Sequence, residues 1–155
     1  MSDNWIRVIP TSPSWQPEPE AAKSAVDYLS GLFAGPDNAV DDVRAELHKD
    51  TALIDSGVNT ASFTCAACSA VTGVEWVLDL VNERCEDLSD LDVHLPCCGA
   101  HARLNDLDYD WPMGFARFEI GVLNARRARY ELDEAELHEV GRLVGHPVRQ
   151  VLAHY

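Results

Sequence analysis

Positive charge is scarce in this chain. Against 26 acidic residues stand 12 lysines and arginines, giving a formal net charge of −14 and a pI near 4.6. A surface this negative repels phosphate backbones, so nucleic acid is not an expected direct partner. Long apolar runs are missing too. No stretch approaches the roughly 18 consecutive apolar residues of a membrane-spanning helix, and no membrane partner is expected. The amino end, Met1-Ser-Asp-Asn-Trp5, lacks the basic and apolar regions of a secretory signal, which makes the cytoplasm the expected compartment. Gly-x-Ser-x-Gly, a phosphate-binding loop, a dinucleotide fingerprint and His-Glu-x-x-His are all absent, so no motif announces an enzyme. No internal repeat and no low-complexity tract stands out.

What is present fits one folded unit spanning 1–155, since 155 residues with 46% hydrophobic side chains suffice for a sizeable core. The charge is unevenly spread. Residues 1–60 carry 10 acids and 4 bases, 61–110 carry 10 and 2, and 111–155 carry 6 and 6. An acidic middle keeps a small protein dispersed, and it also steers the molecule toward a basic protein.

Periodicity places the elements. Asn4 to Ile9 is short, β-branched and stopped by Pro10, as a strand should be. Four prolines between Pro10 and Pro19 make a rigid crossover, with Trp15 expected to plug the core. Ala22, Ala25, Val26, Leu29, Leu32 and Phe33 recur at helical spacing up to Gly35-Pro36. Alternation favours a strand from Asp41 to His48, with further short strands at Ala52–Ile54 and Thr60–Thr64. A helix is expected from Val74 to about Cys85, then a strand over Leu91–Leu95. Phe115 to Leu123 reads as the clearest strand of all. A helix capped by Asp133 should run to Val144, and Val148, Val151, Leu152 and Tyr155 suggest a short terminal helix after the Gly145-His-Pro147 break.

Four of the five cysteines fall into two clusters, Cys65-Ala-Ala-Cys68 and Pro96-Cys97-Cys98-Gly99-Ala100-His101, with 28 residues between Cys68 and Cys97. Each cluster follows an expected strand. Two turns that each offer two soft ligands are what a tetrahedral zinc ion needs, and an odd number of cysteines argues against a disulfide framework. Cys65, Cys68 and Cys98 are the expected metal ligands, with Cys97 or His101 as the fourth. The Cys97 choice needs a sharp turn, because adjacent residues of an extended chain point apart. A redox role for Cys-x-x-Cys would need a helix starting at the motif to lower a thiol's pKa, and here a strand leads in. The competing reading is a degenerate site whose cysteines pack as small apolar groups.

Asp106, Asp108 and Asp110 alternate as in the start of a calcium loop. The sixth and twelfth positions, however, are Trp111 and Arg117 where glycine and glutamate are required. Leu107 and Tyr109 are expected to face inward and the acids water, although such carboxylates are also the candidates for a metal-dependent enzyme. Arg126, Arg127 and Arg129 form a basic spot that can pair within the molecule.

Cys65–Ser69 and Pro96–Gly99 resemble zinc-ribbon knuckles, with Leu95 standing where the pattern Cys-Pro-x-Cys-Gly has its first cysteine. The resemblance implies a structural zinc in a ribbon-like lobe covering about 60–104. The stretches from Leu95 through Tyr109 and Gly114 to Phe118, together with Arg149 to Tyr155, resemble a group of small actinobacterial proteins; that likeness implies a bacterial cytosolic origin and no mechanism. The expected architecture is α+β, an antiparallel sheet flanked by helices and carrying the zinc lobe. The expected function is binding of a basic protein, for example as an immunity-like inhibitor of a toxin. The alternative is a metal-dependent enzyme that uses an open zinc position or the carboxylates at 106, 108 and 110.

Overall fold

The computed structural model describes residues 2–35, 37–84 and 87–155. Pro36 and Cys85, named above as helix ends, lie outside them. The fold is α+β. Strand β8 (Gly114–Leu123) is apolar along nearly its whole length, and it lies at the centre of a four-stranded sheet between β2 (Asp42–Ile54) and β1 (Asn4–Pro10). The carboxyl-terminal strand β9 (Val148–His154) completes the antiparallel order β2-β8-β1-β9. Such a run, buried on both faces, marks an interior strand.

Alternation sorts the side chains. Ile6, Val8, Phe118, Ile120 and Val122 share a core with Ala22, Ala25 and Leu29 of α1 (Pro19–Leu32) and with Val140 and Val144 of α3 (Glu134–Val144). Pro19 begins α1, where its missing N–H costs nothing. Asp133 caps α3 in a reciprocal capping box with Glu136, and Gly145 ends it at φ 93°. Trp15 is half-buried against this core and stacks on His146 at 4.7 Å.

Ile9, Phe115 and Val151 belong to a second core, shared with a lobe built from short hairpins. The first hairpin is β3 (Ser62–Thr64) with β4 (Val71–Gly73), extended by β7 (Asp108–Tyr109) in the order β4-β3-β7. The second is β5 (Asp92–His94) with β6 (His101–Arg103). Between them runs α2 (Glu75–Arg84), which buries Val77. Phe63, Leu91, Leu95 and Leu104 fill the lobe's interior. Asn105, in the 3-10 turn Leu104–Asp106, joins lobe to sheet: its Oδ1 accepts from the Phe115 backbone N–H at 2.9 Å.

Two expectations need correction, and two strands were not expected. Val148–His154 is a strand, and the expected terminal helix from Val148 to Tyr155 is absent. Its apolar residues fit helical spacing, but the edge of β1 offers seven consecutive partners, from Asn4↔His154 to Pro10↔Val148. Ladder pairing there outweighs the weak preference of eight residues for a helix. The segments 41–48 and 52–54 are a single strand, interrupted between Leu47 and Ala52 by a shift in register. Strands β4 and β6, which carry no clear alternation, form because each is the return arm of a hairpin.

Candidate metal centre

The two hairpins are one design used twice. Residues 61–70 and 91–100 follow the same sequence of strand, three-residue turn and return. At the first tip the Cys65 N–H donates to Ala70 O at 2.9 Å and the Ser69 N–H to Cys65 O at 2.9 Å. At the second, the Leu95 N–H donates to Ala100 O at 2.9 Å and the Gly99 N–H to Leu95 O at 2.8 Å. Ser69 (φ 64°) and Gly99 (φ 75°) take the same left-handed conformation. Each matched pair lies thirty positions apart, so Cys68 corresponds to Cys98 and Cys65 to Leu95. Only Cys68/Cys98 and Ala70/Ala100 are identical among the ten pairs, which is why no repeat is legible from residue identity.

Leu95 turns into the lobe's core, 4% exposed. The thiol missing at that position is replaced by Cys97, presented by the three-residue turn Pro96–Cys98. That turn is the sharp bend that two adjacent ligands require. The Sγ atoms of Cys65, Cys68, Cys97 and Cys98 all lie within 4.8 Å of one another. Cys65 is 3.7 Å from Cys98, Cys68 is 3.4 Å from Cys97, and Cys97 is 3.9 Å from Cys98. A tetrahedron with metal–sulfur bonds of about 2.3 Å has edges of roughly 3.8 Å. The four thiols are thus suited to hold a metal ion. His101 lies outside this group, on β6, opposite His94 in the register and with its Nε2 3.7 Å from an Asp92 carboxylate oxygen.

The electrostatics of the cluster call for a cation. The backbone N–H groups of Cys68 and Ala67 point at Cys65 Sγ and pull that thiol down to about 6. Cys97, shared with Cys68 and partly desolvated, is pushed up to about 12. At Cys98 the Ala100 N–H lowers the pKa, but burial and the neighbouring Cys65 and Cys68 win and raise it. The Cys65 thiolate therefore forms readily, and it opposes ionisation of Cys97 and Cys98. A divalent ion removes that conflict by deprotonating all its sulfur ligands.

The carboxylates at 106, 108 and 110 do not converge. All three are exposed, while Tyr109 is buried and Leu107 half-buried between them. Asp110 Oδ1 accepts from the N–H groups of Ala61 (2.9 Å) and Ser62 (3.1 Å), which fixes the base of the first hairpin and holds this carboxyl below its usual range. Arg126, Arg127 and Arg129 pair with Asp41, Glu136 and Asp133.

Among the described residues one other group has metal-type side chains, Glu46, His48 and Glu119. Glu119 is buried on the central strand, 7% exposed. Arg7 grips both its oxygens, Nε at 2.9 Å and Nη2 at 3.0 Å, and His48 Nε2 lies 2.9 Å from Oε2. Burial raises the Glu119 carboxyl, yet Arg7 and His48 outweigh it and the net shift is downward. Arg7 also donates to Asp55 O and to the Tyr155 hydroxyl, which itself donates to Asp55 Oδ1 at 2.6 Å. The network borders a polar cavity of about 290 Å³ lined by Trp5, Arg44 and Gly121 as well. The sequence offered one signal for it, a glutamate inside the apolar run Phe115–Leu123. Its partners are 112 and 71 residues away.

Comparison with known proteins returns nothing: no family model matches the chain, and no curated protein or solved structure matches it.

Proposed function

We propose that this protein is a binding module whose lobe is stapled by a structural zinc ion, and that its partner is a basic protein. The observation that carries the reading is the four-thiol cluster. Four protein sulfurs close a tetrahedral shell and leave no position for water or substrate, the hallmark of structural rather than catalytic zinc. Zinc fits because soft thiolates in tetrahedral array favour it. The charge of −14 supplies the steering toward a basic partner. An immunity-like inhibitor that covers a toxin is the concrete form of this reading.

Elemental analysis with X-ray absorption on purified protein tests the metal. One zinc per chain surrounded by four sulfurs is the expected result. A shell with an oxygen ligand would instead favour a metal-dependent enzyme, and that reading would then displace this one. The partner is tested by titration calorimetry against basic proteins encoded beside this one, at two salt concentrations. Affinity should fall steeply with salt; no binding to any of them removes the inhibitor reading.

A further inference from the structure

The four sulfurs are not equivalent. Cys65 Sγ receives two backbone N–H groups, from Ala67 at 3.3 Å and Cys68 at 3.4 Å, and its residue is buried. The Ala100 N–H serves Cys98. These two form an inner pair, 3.7 Å apart. Cys68 and Cys97 are exposed, as is Cys98, so Cys65 alone is buried. Among the described residues no backbone N–H donates to either sulfur, whose contacts are with other sulfurs. They form an outer pair and make the shortest of the sulfur contacts, 3.4 Å. The asymmetry follows from the displaced ligand. A cysteine at 95 would sit in the knuckle where Cys65 sits in the first hairpin, beneath the turn's amides; Leu95 occupies that place, and Cys97 stands out on the turn itself.

Hydrogen bonds from amides withdraw electron density from a metal-bound sulfur, and a sulfur without them is the better nucleophile. We infer that Cys68 and Cys97 are a peroxide-sensitive pair, which closes to a disulfide between the two hairpins and releases the metal. This rests on the metal reading above for the release, and on the sulfur geometry alone for the choice of pair. The oxidant is hydrogen peroxide, and the chemistry balances. One outer thiolate attacks a peroxide oxygen, the S–O bond forms, the O–O bond breaks and hydroxide leaves with a proton as water. The second outer thiolate then attacks that sulfur, the S–S bond forms, and the sulfenic hydroxide departs as a second water. Two thiolates, one peroxide and two protons thus give one disulfide and two waters. The two inner thiolates that remain hold zinc far less tightly than four. Because the new bond joins β3–β4 to β5–β6, the tips stay tied when the ion leaves.

The test treats zinc-loaded full-length protein with one equivalent of hydrogen peroxide, follows zinc with a chromogenic chelator, and maps the disulfide by fragmentation mass spectrometry that separates Cys97 from Cys98. Expected are a Cys68–Cys97 bond, zinc release in step with it, and reversal of both by thiol reductant and added zinc. Substoichiometric iodoacetamide on unoxidised, zinc-loaded protein, in which the ion holds all four sulfurs as thiolates, should label the exposed outer pair about tenfold faster than the buried Cys65. A Cys65–Cys68 or Cys65–Cys98 bond, uniform labelling, or zinc retained after the disulfide forms would overturn the inference. If the purified protein neither contains nor takes up zinc, the structural-zinc reading fails, while disulfide mapping of that same protein still decides whether 68–97 is the pair. The Cys97→Ser variant should yield no peroxide-induced disulfide at position 97 and should lose the zinc release that accompanies it.

Discussion

Glu119 is the residue whose replacement should be most costly outside the cysteines. Truncating it to alanine leaves the Arg7 guanidinium buried without its counter-charge, and breaking one half of a buried pair costs about 3–5 kcal/mol. Urea denaturation of Glu119→Ala should register that loss. The same group sets a pH dependence. Its carboxyl lies below the ordinary value of 4.5 in the folded protein, so the stability it contributes is fully present above about pH 4.5 and is lost as pH falls through the depressed value. The stability gap between wild type and Glu119→Gln should shrink as pH falls below about 4.5; a gap that grows with further acidification there would contradict the assignment. Neither Arg7 nor His48 was recognisable as a partner in the sequence, because nothing local links strands that meet only in the sheet.

At the scale of elements, local chemistry governed the helices and tertiary pairing governed the strands. Asp133 and Glu136 close their capping box within four residues, so α3 was legible at its start. Asp133→Ala should remove about 1 kcal/mol, measured by thermal or urea unfolding. Strand β9 was not legible, because a seven-residue apolar segment serves equally as helix or strand until an open edge is offered. The hairpin tips combine both cases. Their turn residues Ser69 and Gly99 are written in the sequence, while their equivalence is a matter of hydrogen bonds. That equivalence makes a sharp expectation. Moving the thiol back, with Leu95→Cys and Cys97→Ala together, should rebuild a regular knuckle that still binds zinc with four sulfurs by X-ray absorption. It should also lower stability by roughly 1–3 kcal/mol for the lost leucine volume.

For the molecule as a whole, two cores share one sheet. The helices α1 and α3 cover one face, and the hairpin lobe packs Phe63, Leu91 and Leu95 against Phe115 and Val151 at one end of the other. The lobe's paired segments are only two or three residues long, too short to stand as independent sheets. Metal binding is therefore expected to be coupled to the lobe's folding. Chelation under reducing conditions should lower the melting temperature and strip hydrogen-exchange protection from 62–73 and 92–103, while the β1–β8 amides stay protected. Equal loss in both regions would mean that the cluster staples the entire molecule and not the lobe alone.

The sequence by itself determined the α+β class, the acidic charge, the central strand, the capped helix and the pairing of two cysteine clusters. The charge follows from composition, while the strand, the helix and each cluster are encoded by neighbours within a few positions, through periodicity, capping or ligand spacing. Only the tertiary structure decided that Cys97 stands beside Cys65, Cys68 and Cys98 while His101 points elsewhere. The same is true of the carboxyl terminus as an edge strand and of Glu119 lying between Arg7 and His48. In each case the deciding contact joins residues far apart in the chain, and its geometry exists only once sheet register and hairpin turns have fixed where the side chains point.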